Sequence, residues 1–157
     1  MHRSAPERDR AQKLLAEVGE AFLRQGCLLG ELPLVNVYLA RERARRGDRD
    51  EAIPPMRAAA DHLFREGRLL AWGIPATGVL VETLLDRGTE SDVAEAEAAI
   101  ERLATAPDDE GLVTREIWLL RLRAQGDEAY KQLRDRYRAM ATSLGFEGHM
   151  KWAEAMP

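Results

Sequence analysis

Several residue types that build other kinds of protein are scarce in this sequence. A single cysteine, Cys27, among 157 residues excludes an internal disulfide and predicts a reducing compartment. Aromatic residues make up only 6% of the chain. The β-branched runs that would favour a sheet are missing, apart from short pieces such as residues 79–81. No segment approaches the roughly 20 apolar residues that a membrane-spanning helix requires. The polar stretch 1–10 lacks the apolar core of a signal peptide, so we expect a cytoplasmic protein.

An excess of positive charge is also missing. The net charge is −4, and the densest basic run, residues 41–49, is interrupted by acidic side chains. Neither feature favours direct binding to nucleic acid or to an anionic membrane. Hydrophobic residues at 45% and charged residues at 32% are typical of a folded globular chain and exclude intrinsic disorder.

Strong helix formers are abundant, because Ala, Leu, Arg and Glu dominate the composition. Apolar residues recur at helical spacing between helix breakers and predict eight helices. Pro54 and Pro55 predict an irregular or later start of the third helix, and Ser91 is the predicted cap of the fifth. The predicted helices span about 7–25, 31–46, 48–66, 70–87, 92–105, 112–124, 127–144 and 147–156.

The helix breakers recur with one period in two interleaved series. The first series is Gly47, Gly88 and Gly126, and the second is Gly26, Gly67, Pro107 and Gly145. Successive members of either series are about 40 residues apart, within the range of periods that marks helical repeats. A shared period predicts helix-pair repeats that stack to bury their apolar faces. A plain helical bundle is the alternative.

Residues 46–53, Arg-Gly-Asp-Arg-Asp-Glu-Ala-Ile, resemble the turn between the two helices of a tetratricopeptide repeat. Ala52, Met56 and Ala59 follow with the small–large–small spacing of that repeat's second helix, which lets two helices approach closely. Residues 125–129 and, more weakly, 87–91 repeat the turn. The resemblance implies an all-α, right-handed α-solenoid of about four antiparallel helix pairs, with a repeat length of about 38 to about 41 residues. It would form one tetratricopeptide-like domain over 1–157, with 1–7 frayed.

A second resemblance covers most of the chain. Residues 34–41, 118–124 and 137–149 are similar to the C-terminal helical region of large actinobacterial regulators. Those proteins join a nucleotide-cyclase-like domain and a P-loop ATPase domain to helical repeats, and some add a helix-turn-helix. The resemblance implies a non-catalytic regulatory arm that senses or docks a protein or peptide partner and carries no cofactor.

The repeat frame also predicts a binding surface. First helices of such repeats line the concave groove, and their spacing gives a mixed-charge set that suits a protein segment of complementary charge. The candidate residues are Arg41, Arg45, Glu82, Asp86, Glu116 and Arg123. The alternative is a small-ligand-sensing domain that binds between the second and fourth helices, where Gly73, Pro75 and Gly78 would open space. Exposed end surfaces allow a weak homodimer.

Motifs for catalysis and metal binding are weak. Residues 73–78 have the G-x4-G spacing of a phosphate loop, but Val79 and Leu80 follow where Lys and Ser or Thr are required. His62 and Glu66 have a spacing that can hold a metal, yet no further ligand is near, so a solvated helix face is favoured. The acidic residues 108–110 favour a helix start over a metal site. We therefore predict a protein that is not an enzyme and has no metal site. Three tryptophans are expected in the core or between repeats: Trp72, Trp118 and Trp152.

Overall fold

The computed structural model describes residues 5–26, 28–68, 72–106, 113–123 and 130–155. Within these ranges every regular element is helical, so the all-α prediction is confirmed for them. None of the described helices is long and apolar enough to cross a membrane. A short 3-10 turn, Leu29–Glu31, precedes the second helix. The helices are α1 Ala5–Gln25, α2 Leu32–Arg45, α3 Arg49–Arg65, α4 Ile74–Arg87, α5 Glu90–Thr105, α6 Val113–Arg123, α7 Tyr130–Ser143 and α8 Glu147–Ala155.

The chain divides into two compact units, His2–Ala99 and Ile100–Pro157. The first unit holds α1 to α4 and most of α5. The second unit holds the end of α5 together with α6, α7 and α8. The single repeat domain expected over 1–157 stays a prediction.

Glycines end the helices where the breaker series predicted. The turn between α2 and α3 is built on Gly47, whose φ of +108° lies in the region that side chains with a Cβ rarely adopt. The amide of Gly47 donates to the carbonyl of Ala44 at 3.0 Å, which satisfies one carbonyl left open at the end of α2. Pro107 and Gly126 lie outside the described residues. The remaining predicted stops also have positive φ: Gly26, Gly67, Gly88 and Gly145.

The core of the first unit is centred on α4, which contacts both α2 and α3. Most of α4 is buried because its sequence is apolar on nearly every side. A π turn at Trp72 and Gly73 precedes the helix, and Pro75 lies in its first turn. The helix therefore starts at Ile74, later than the predicted start near residue 70. From α3, the fully buried side chains include Ile53, Met56 and Leu63.

Two prolines lie inside α3 rather than before it. Pro54 and Pro55 are preceded by helical residues from Arg49 onward, and the amide of Ala52 donates to the carbonyl of Asp48. The expected later start near Ile53 is therefore wrong. Proline has no N–H, so the carbonyls of Asp50 and Glu51 lack their usual helical donors. The packing of Ile53 and Met56 on both sides of the prolines holds the helix together at this cost.

Replacing Pro54 by Ala is expected to stabilise the first unit. The proline is exposed, so the change removes no packing and restores a backbone donor. We expect a gain of about 1–2 kcal/mol in the free energy of unfolding, measured by urea denaturation with circular dichroism. Ala58→Gly, at another exposed site of α3, is the control for helix propensity and should lower stability by about 1 kcal/mol. A Pro54→Ala variant less stable than wild type would contradict the prediction.

The start of α5 is fixed by a reciprocal pair of hydrogen bonds. The amide of Asp92 donates to Thr89 Oγ1 at 3.2 Å, and the amide of Thr89 donates to Asp92 Oδ2 at 3.2 Å. Thr89 is therefore the cap, and the prediction of Ser91 as the cap is wrong. The Arg87 guanidinium also donates to both carboxylate oxygens of Asp92, at 2.8 and 2.5 Å. This donation holds the pKa of the Asp92 carboxyl well below its usual range, although burial opposes it.

The capping carboxylate predicts a specific acid sensitivity. Asp92→Ala is expected to cost about 1–2 kcal/mol near neutral pH, because the Thr89 amide loses its acceptor and Arg87 loses its partner carboxylate. Since the native pKa is lowered, the native state binds fewer protons, and acid favours unfolding. The difference in the free energy of unfolding between wild type and Asp92→Ala should be constant near neutral pH. It should shrink as the pH falls below 3.8, the ordinary pKa of this carboxyl group. Urea titrations across pH measure it, and Glu97→Ala, at an exposed carboxylate of α5, should show no such pH-dependent difference.

Among the described residues of the first unit, five ion pairs join residues that lie 37 to 41 positions apart. One of them joins α2 to α4, and another joins α3 to α5. Exposed ion pairs add little stability individually, so their main effect is on the register of one helix against another. Their separations are close to the period of the helix breakers. The pairs are Asp9–Arg46, Glu31–Arg68, Arg41–Glu82, Asp50–Arg87 and Arg57–Glu95.

The second unit contains an aromatic cluster around His149. Its ring centroid lies 5.4 Å from that of Trp118 and 4.9 Å from that of Trp152, both nearly edge-on. The buried Tyr137 hydroxyl lies 2.9 Å from His149 Nδ1 in a hydrogen bond. Phe146 completes the cluster at 6.0 Å. Trp118 is buried and Trp152 half-buried, which places both in the packing of this unit, as the core prediction required.

Candidate functional site

The first unit carries an open groove between α2 and α3, with a volume of about 450 Å³. Since a tight turn joins these two helices, they run in opposite directions and line the groove along its length. Six of the nine lining residues are apolar and three are polar. The lining residues from α2 are Pro33, Asn36, Leu39, Ala40 and Arg43, and those from α3 are Pro55, Ala58, Ala59 and His62.

Helical periodicity places these residues on one face of each helix. In α2 the lining positions follow the spacing of three and four residues that marks a single stripe, and the same holds for α3. Ala40, Ala58 and Ala59 are small, so space remains between the helices. Larger residues at these positions would close the groove.

The polar side chains of the groove make no hydrogen bond or ion pair with any residue that the structure describes. Asn36 and Arg43 are exposed, and His62 is half-buried. None of the nine lining residues is acidic. The groove therefore presents hydrogen-bond donors and one permanent positive charge beside an apolar wall.

The predicted charged set lies on other faces. Arg41 Nη2 lies 3.2 Å from Glu82 Oε2, so these two candidates bind each other between α2 and α4. Their side chains are only 22% and 16% exposed, which leaves little of either charge for a partner. Arg45 is more exposed and pairs with Glu42 on its own helix at 2.5 Å. Asp86 is exposed on α4.

Two candidates belong to the second unit. Glu116 is exposed on α6. Arg123 is the last residue of α6, and its side chain lies outside the described residues. Of the six candidates, none lines the groove. Their joint role as one binding surface stays a prediction.

Sequence reasoning missed the groove although it weighed two of its three polar residues. Arg43 was counted only within the basic run, and His62 was weighed only as a metal ligand with Glu66. Among the described residues no group of three or more His, Cys, Asp or Glu is placed to hold a metal. Cys27 and the acidic residues 108–110 lie outside the described residues. The signal that could have indicated the groove is the polar positions Asn36 and Arg43 on an otherwise apolar stripe of α2.

The geometry of the groove supports binding: it offers a positive charge, neutral donors and an apolar wall. The described residues thus define an all-α chain with an open groove between α2 and α3. No family model matches the chain, and comparisons with curated proteins and with solved structures give no match.

Proposed function

We propose that this chain is a non-catalytic protein-interaction module and serves as the sensing or docking arm of a signalling ATPase, a nucleotide cyclase or a transcriptional regulator. The observation that carries the proposal is the open groove, whose polar side chains have no partner among the described residues. The resemblance of residues 34–41, 118–124 and 137–149 to the helical region of actinobacterial regulators supports the regulatory role. A cytoplasmic location follows from the same proposal.

The proposed architecture is a right-handed, tetratricopeptide-like α-solenoid. The five ion pairs at separations of 37 to 41 residues support it, because residues one repeat apart become neighbours when repeats stack. The contact of α2 with α4 supports it as well, since these would be the first helices of successive repeats. Such arrays offer long surfaces for protein segments, which suits a docking role.

The proposal is tested by affinity capture from a lysate of the source organism with quantitative mass spectrometry. Wild type is compared with Arg45→Glu/Asp86→Arg, which alters the exposed α2 and α4 charges without changing the net charge, and with Arg43→Glu in the groove. Arg41 is left intact because its reversal would place two carboxylates together at Glu82. A protein lost with either variant supports the proposal and locates the surface. Retention of no protein by wild type would contradict it.

A small-ligand-sensing domain is the second candidate function. The groove volume of about 450 Å³ lies within the range of small-molecule pockets, roughly 300–1,000 Å³, and favours it. The groove lies between α2 and α3, whereas α2 and α4, the expected position, are joined by the Arg41–Glu82 pair. A metabolite that raises the melting temperature of wild type but not of Arg43→Glu would favour this function.

A further inference from the structure

We infer that the groove between α2 and α3 binds a peptide segment of a partner protein that places an apolar side chain next to a carboxylate. This inference rests on the proposed function and adds the chemistry of the bound segment. The segment belongs to another protein and enters along the groove, with its carboxylate at Arg43 and its apolar side chain against the alanines.

Charge complementarity assigns the carboxylate. Neighbouring arginines on the same helix end already hold acids or amides: Arg41 holds Glu82, Arg45 holds Glu42, and Arg46 holds Asp9 and Gln12. Arg43, in the middle of this run, makes no such bond with any described residue. A guanidinium binds a carboxylate through two parallel hydrogen bonds, and no lining residue competes for it.

The rest of the lining assigns the apolar side chain. Ala40, Ala58 and Ala59 form a wall of small residues, with Leu39 and the two prolines beside it. Apolar side chains gain free energy when such a wall removes them from water. Asn36 and His62 add neutral hydrogen-bonding groups that suit the backbone of a bound segment.

The openness of the groove favours a peptide over a small molecule. Asn36, Arg43 and Ala58 are all exposed, so the groove is accessible along its length. Small-molecule sites instead enclose most of the ligand surface. Grooves between neighbouring helices receive helical or extended segments through a few anchoring side chains.

Two prolines inside α3 also indicate the groove as the binding site. Pro54 and Pro55 stand in a helix interior, where proline is unfavourable, and Pro55 lines the groove. Violations of local preference concentrate at functional sites, where they are kept at a cost in stability. Fold stability alone does not account for prolines at these positions.

Selection from a phage-displayed library of random peptides tests the inference on the full chain. Wild type is expected to enrich peptides with Asp or Glu beside Leu, Ile, Met or Phe. Fluorescence anisotropy with an enriched peptide then measures affinity. We expect Arg43→Glu to weaken binding at least about tenfold, since it places two negative charges together. The groove-filling variant Ala58→Leu should also weaken it, whereas Arg10→Glu, an exposed reversal on α1, should leave the dissociation constant within about twofold.

The outcomes separate this inference from the proposed function. Enriched peptides without acidic residues, or binding unaffected by both Arg43→Glu and Ala58→Leu, would overturn the inference and leave peptide binding intact. A failed peptide selection also overturns it. In that case octanoate, a small apolar carboxylate, identifies a small-molecule site if it raises the melting temperature of wild type but not of Arg43→Glu. Circular dichroism checks that each variant folds. If Arg43→Glu does not fold, Ala58→Leu still tests the inference.

Discussion

Tyr137→Ala is expected to destabilise the second unit by about 3–5 kcal/mol, the range for removing a buried aromatic ring. Tyr137 is completely buried, so the change leaves a cavity where the ring packs beside His149. It also removes the hydroxyl that hydrogen-bonds His149 Nδ1. Trp118 and Trp152 both pack against the His149 ring, so their fluorescence should change at a lower urea concentration than in wild type.

A second substitution at the same site separates the ring from the hydroxyl. Tyr137→Phe keeps the packing and should cost only about 1 kcal/mol, the net value of one hydrogen bond. Removal of the exposed side chain in Arg136→Ala should change stability by no more than about 0.5 kcal/mol. If Tyr137→Ala cost no more than Tyr137→Phe, the ring would not be part of a packed core, and the cluster around His149 would be wrong.

Leu63→Ala is expected to cost about 3 kcal/mol in the first unit, within the range of about 2–5 kcal/mol known for buried leucines. Leu63 is 0% exposed in α3 and belongs to the core that α4 completes. Its loss removes apolar burial and leaves a cavity that the adjoining helices fill only in part. Urea denaturation with circular dichroism measures the change as a shift of the unfolding midpoint.

Leu23→Ala in α1 is the matched control because the chemical change is identical. Leu23 is 65% exposed, so its truncation should alter stability by no more than about 0.5 kcal/mol. Equal costs at Leu63 and Leu23 would mean that the burial pattern of the first unit is wrong. A large loss of unfolding free energy at Leu63 alone would show that the face of α3 with Leu63 packs in the core.

Helix positions were predictable from the sequence because local chemistry determines them. Gly47 and Gly88 end helices through backbone conformations that other residues adopt poorly, so their spacing located the turns. The cap of α5 was predicted at the wrong residue because Ser91 and Thr89 are both good caps. What decides between them is the reciprocal bond of Thr89 with Asp92, an interaction that propensity alone does not contain.

The candidate site was harder to predict because it depends on which charged side chains already form ion pairs with each other. Arg41 and Arg43 lie in the same basic run of one helix, and the repeat frame selected Arg41 as the binding candidate. In the structure Arg41 reaches Glu82 on another helix, whereas Arg43 reaches no described acid. The Arg41–Glu82 pair, separated by 41 residues, cannot be predicted without knowing that α2 packs against α4. The groove likewise arises from two helix faces whose alignment the turn at Gly47 sets.

The cations of the five long-separation ion pairs are all arginines, and this has a practical consequence for handling the protein. Amine-reactive reagents modify lysine but not guanidinium groups, so acylation leaves these pairs and Arg43 chemically unchanged. Lys13 and Lys151 are exposed on α1 and α8 and do not line the groove. Biotin or a fluorophore can therefore be attached at Lys13 or Lys151 without modifying a side chain that lines the groove.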